Sequence, residues 1–63
     1  MVIQILYHKG YRGTILISEY DGIFYGKVLD IGNLVSYEGY TLTELITNFE
    51  QAIDDYIETC IYG

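Results

Sequence analysis

A chain of 63 residues has room for one domain with one core, and it buries only about 60% of its unfolded surface. One cysteine and one histidine exclude an intramolecular disulfide and a zinc site built by this chain alone, so self-association or a partner is left to supplement the core. Three Lys and Arg against nine Asp and Glu give a net charge of −6, which argues against binding a phosphate backbone and favours a basic protein partner.

An apolar fraction of 51% and the absence of proline indicate an ordered domain covering residues 1–63. No stretch approaches the roughly 18 continuous apolar residues of a membrane span. The apolar start, Met1 to Leu6, lacks the basic flank and small-residue cleavage site of a secretory signal. A cytoplasmic location is expected. Charge is also divided along the chain, since residues 28–63 hold seven acids and no base.

The first half reads as strands. Residues 2–7 are apolar and β-branched enough to extend, and Lys9-Gly10-Tyr11-Arg12-Gly13 carries two glycines that permit a bend or bulge. A second strand over about 11–20 is centred on Ile15, Leu16 and Ile17. Tyr20-Asp21-Gly22 then reads as a tight turn, because Asp-Gly supplies the positive φ angles that a short hairpin needs. The return strand covers about 23–29. Asp30-Ile31-Gly32-Asn33 makes the next turn, and a last strand covers about 34–38.

Residues 42–60 read as one amphipathic helix about 28 Å long. Leu42, Leu45, Ile46, Phe49, Ala52, Ile53, Tyr56, Ile57 and Cys60 recur at steps of three and four, drawing one apolar stripe. Thr41 is placed to cap the helix, with Glu44 three residues on completing a reciprocal capping box. The expected fold is therefore α+β: an antiparallel meander of three or four strands with one helix on one face. The strands are apolar on both faces. Ile15 and Ile17 oppose Leu16 and Tyr20, while Phe24 and Val28 oppose Ile23, Tyr25 and Leu29. One helix leaves one of those faces open, as a docking surface.

The motif Gly10-Tyr11-Arg12-Gly13, then Asp21-Gly22-Ile23-Phe24-Tyr25-Gly26-Lys27-Val28-Leu29, then Tyr37-Glu38-Gly39, and finally the run from Phe49 to Cys60 resemble, in this order and spacing, the successive signatures of the HicB antitoxin family. That resemblance implies a partial ribonuclease-H-like fold. It also implies a dimer or tetramer that neutralises a HicA-like toxin, a small basic ribonuclease, by occluding its active site. Many members add a carboxy-terminal DNA-binding domain. Only Ile61-Tyr62-Gly63 follow Cys60, so DNA binding is not expected of this chain.

No enzymatic activity, metal or other cofactor is expected. Asp54 and Asp55 point about 100° apart on a helix and do not make a metal pair. The acids of the helix read as a solvated face; the sharper reading makes Glu50, Asp54 and Glu58, spaced by four, a ridge that meets a partner's arginines or lysines. Leu16, Tyr20 and Tyr25 are the expected apolar contacts, since tyrosine suits both core and interface. Tyr37 and Tyr56 are expected in the core with their hydroxyls at its rim. His8 lacks the partners of a catalytic base, and Lys9 and Arg12 read as decoration of a surface bend. The rival classes are an orphan self-associating module and a metal-dependent nuclease using Glu19 or Asp21.

Overall fold

Lys9 and Gly10 both have positive φ, 51° and 83°, and between them they turn the chain in two residues so that His8 pairs with Tyr11. That backbone suits a right-twisted hairpin, and glycine adopts it without strain. In this computed structural model, which describes residues 4–32 and 34–62 and their side chains as far as Thr59, the turn joins the first two of four strands. They are β1 (Gln4–His8), β2 (Tyr11–Ser18), β3 (Ile23–Lys27) and β4 (Ser36–Gly39), followed by helix α1 (Leu42–Tyr62). The sheet is antiparallel in the order β1-β2-β3-β4. The expected α+β meander with one helix is thus found, with four strands.

Several boundaries differ from expectation, each for a local reason. The Lys9-Gly10 segment is a hairpin turn that lets β1 continue through His8. Strand β2 stops at Ser18, because Glu19 to Gly22 form a four-residue loop closed by Gly22 N–H donating to the Ser18 carbonyl at 2.8 Å. Only Gly22 in it has positive φ, so the two-residue Asp-Gly hairpin does not form and Tyr20 lies in the loop. Strand β3 ends at Lys27, since its N–H donates to the Thr14 side-chain Oγ1 at 3.1 Å instead of continuing the ladder. Val28 resumes contact as a single bridge to Gly13. Leu34 and Val35 precede β4, although the Val35 carbonyl accepts from Val28 N–H at 2.9 Å. The expected strand start at Val2, the turn residue Asn33 and the side chain of Cys60 lie outside what is described.

The core forms between α1 and one face of the sheet. Leu45, Phe49 and Ile53 from the helix stripe are fully buried against Ile15, Val28 and Tyr37. The Phe49 ring meets Tyr37 edge-on at 5.1 Å. Three consecutive residues of β2, Gly13, Thr14 and Ile15, are buried, which breaks simple alternation. Gly26 explains how: a β-carbon there would stand 1.8 Å from the Thr14 carbonyl oxygen, so only glycine admits this close approach of β2 to β3. The Thr14 carbonyl accepts instead from the Tyr37 hydroxyl at 2.7 Å, which places that hydroxyl inside the core, not at its rim. Tyr56 is half-buried, its ring edge-on to Tyr11 at 5.8 Å.

Thr41 caps the helix as expected, its Oγ1 accepting from Glu44 N–H at 3.1 Å. The reciprocal bond shifts by one residue, to Tyr40 N–H at 3.4 Å from Glu44 Oε1. Leu45 lies against Gly39 of β4, and farther along Phe49 and Asp54 reach His8 while Tyr56 reaches Tyr11. The helix therefore crosses the sheet diagonally, from the end of β4 to the β1–β2 turn. Ile17, expected on the covered face with Ile15, falls in the corner that the diagonal leaves and is 43% exposed.

Candidate partner-binding site

The side chains of β2, β3 and β4 that point away from α1 compose an open surface. Leu16 pairs with Tyr25 and Tyr25 with Glu38, a row of three across the sheet. One strand position on lies Lys27, opposite Ser36. Two hollows flank Tyr25. One, of about 300 Å³, is lined by Leu16, Tyr25, Lys27, Leu34 and Ser36. The other, of about 600 Å³, is lined by Ser18, Asp21, Ile23, Tyr25 and Glu38 among others. Leu34 is 85% exposed and Tyr25 41%, so a chain this short keeps large apolar side chains in water on this face. A solvent-exposed apolar patch of this kind, with tyrosine at its centre, can hold a protein partner.

Charge separates the hollows. Lys9 is paired with Asp54, and Arg12 with Asp30, a residue whose φ is positive at 62°. Among the described residues Lys27 is the cation without an ion pair. It borders the first hollow, while Asp21 and Glu38 border the second.

The acidic helix face presents a second, separate surface. Asp54 Oδ1 is shared between Lys9 Nζ at 2.8 Å and His8 Nε2 at 3.0 Å, and Glu50 Oε2 lies 4.0 Å from His8 Nδ1. Lys9 first, then His8, hold the Asp54 carboxyl below the usual carboxylate range. Glu58 has no ion pair among the described residues. Among those residues no group of three His, Cys, Asp or Glu side chains is arranged to hold a metal ion.

The six residues expected to meet a partner are therefore not brought together. Leu16 and Tyr25 share the open sheet face. Tyr20 stands 99% exposed on the β2–β3 loop, at one end of that face. Glu50, Asp54 and Glu58 lie on the helix, beyond the sheet, and two of them are already engaged by the β1–β2 turn. Lys27, Leu34 and Glu38 belong to the open face and were not anticipated as site residues. The alternation of Ile23, Tyr25 and Lys27 on one side of β3 was a usable signal for the lysine. Nothing local marked His8 as a partner of Asp54, 46 residues away.

These features define a class, a small α+β domain with one covered and one open sheet face. The chain matches no protein-family model, no curated protein and no solved structure. Among the described residues no helix is long and apolar enough to cross a membrane.

Proposed function

We propose that this chain is a HicB-like antitoxin domain of the cytoplasm, a binding protein that self-associates and occludes a small basic HicA-like ribonuclease. The observation that carries the reading is the open sheet face around Leu16 and Tyr25, on a chain of net charge −6. Apolar contact on that face holds the toxin, with Tyr20 at the margin. Glu50, Asp54 and Glu58 lie on another surface, so their part is long-range: they draw a basic partner toward the molecule without having to touch it. The motif resemblance over Gly10 to Cys60 supports the name, and it extends the reading to a partial ribonuclease-H-like ancestry without catalysis.

The test is co-expression of the full chain with whatever protein its neighbouring gene encodes, followed by RNA cleavage with and without this chain. A complex that co-purifies and silences cleavage is expected. Leu16→Ala with Tyr25→Ala is expected to release active ribonuclease, whereas Glu58→Gln is expected to slow association and leave the complex stable. Cleavage that continues undiminished at excess of this chain would refute the reading.

A further inference from the structure

We infer that the open sheet face is self-complementary and pairs two copies of this chain face to face, the cationic hollow of each against the anionic hollow of the other. The inference rests on the proposed self-association and names the surface that performs it.

The geometry is set by β3. Gly26 lines both hollows and contributes no side chain, with Tyr25 on one side of it and Lys27 on the other. A two-fold axis lying in the plane between the sheets, over Gly26 and across the strands, exchanges those two positions. It carries the row Leu16, Tyr25, Glu38 of one copy onto the row of Lys27 and Ser36 of the other. Each Lys27 then lies over the partner's tyrosine ring at position 25, with a carboxylate from position 38 alongside. Ammonium over an aromatic face, next to an acid, is a favourable arrangement for a cation that has no ion pair among the described residues of its own chain. Because the axis repeats every contact, one rotation satisfies two lysines. It also brings Leu34, 85% exposed, toward the apolar end of the opposite row at Leu16.

Magnitude decides what kind of pairing this is. Four strands about 4.8 Å apart and about five residues long present on the order of 300 Å² in projection. That is a small interface, so the pairing is reversible, and it leaves the face available to a competing partner. The toxin and the second copy therefore exclude one another.

The experiment uses the full chain alone, so its outcome is independent of any toxin. Sedimentation equilibrium from micromolar to millimolar chain is expected to show a monomer–dimer equilibrium. Lys27→Glu and Glu38→Lys are each expected to weaken it at least tenfold, and the double exchange, which re-forms the charge pair but not the ammonium–ring contact, to recover part of that loss. Circular dichroism on each variant verifies that the sheet remains folded. Amide chemical shifts of the unsubstituted chain on dilution give a second readout, with changes expected at Leu16, Tyr25, Lys27 and Leu34. A chain that stays monomeric at millimolar concentration would overturn the inference. So would a double exchange no stronger than the single ones, or dilution shifts confined to α1 or to the outer edge of β1.

Discussion

Tyr37 shows how much of this fold hangs on single polar atoms. Its hydroxyl donates to the Thr14 carbonyl at 2.7 Å and approaches the Lys27 carbonyl at 3.3 Å, both at the place where the β2–β3 ladder is interrupted. Burial pushes the phenol up to about 12. The folded state thus favours the neutral phenol, so its contribution is complete below pH 10, the unfolded value, and is lost as pH rises from 10 toward 12. Two units correspond to about 3 kcal/mol at most. Urea denaturation of Tyr37→Phe is expected to show a loss of about 1–3 kcal/mol at neutral pH, because a buried carbonyl loses its donor. The decline between pH 10 and 12 should be shallower in the variant than in the parent. Gly26 makes the complementary case. Gly26→Ala puts a methyl group 1.8 Å from a backbone oxygen and is expected to cost about 3 kcal/mol or more. Gly32→Ala, with nothing within 4 Å, should fall within about 0.5 kcal/mol of the parent by thermal melting.

At the scale of elements, the helix was legible and its direction across the sheet was not. Its stripe of Leu45, Phe49 and Ile53 is a period-3.6 signal that tertiary packing keeps intact, and the Thr41 cap uses residues three apart. The diagonal, by contrast, is fixed by contacts such as His8 with Asp54 and Asn48 Nδ2 with the Glu38 carbonyl at 2.7 Å. Asn48 sits on the polar side of the periodic pattern, and sequence periodicity carries no information about a neighbouring strand's carbonyl. Strand ends depart from expectation where side chains replace the ladder, at Thr14 above all. Thr41→Ala is expected to cost about 1 kcal/mol by removing the cap. The link between turn and helix has its own signature. Lys9 and His8 lower the Asp54 pKa, so its contribution is present above the unfolded carboxyl value and is lost as pH falls through the lowered folded one. Asp54→Asn is therefore expected to flatten the fall of the urea midpoint as pH drops through and below the ordinary carboxylate range.

For the whole molecule, the division into a covered and an open face follows from there being two-sided strands and one helix, and that much could be read from alternation in Ile23 to Val28. The separation of the helix acids Glu50, Asp54 and Glu58 from the apolar patch could not, because it depends on where the helix lies and on which bases it meets. That separation has a kinetic consequence for the proposed antitoxin. Acids distant from the contact surface act through the field, which salt screens over about 8 Å at 0.15 M. Apolar contact around Tyr25 acts only after encounter and is insensitive to moderate salt. Raising sodium chloride from 0.05 to 0.5 M should therefore lower the association rate with the toxin by roughly an order of magnitude or more, as for steered encounters. The dissociation rate should change by less than about threefold, on the view that rim charge governs association and buried contact governs residence time. Stopped-flow mixing separates the two rates. If salt instead accelerated dissociation as strongly as it slowed association, the acids would have to lie within the contact itself, and Glu58 with its helix face would replace Leu16 and Tyr25 as the docking surface.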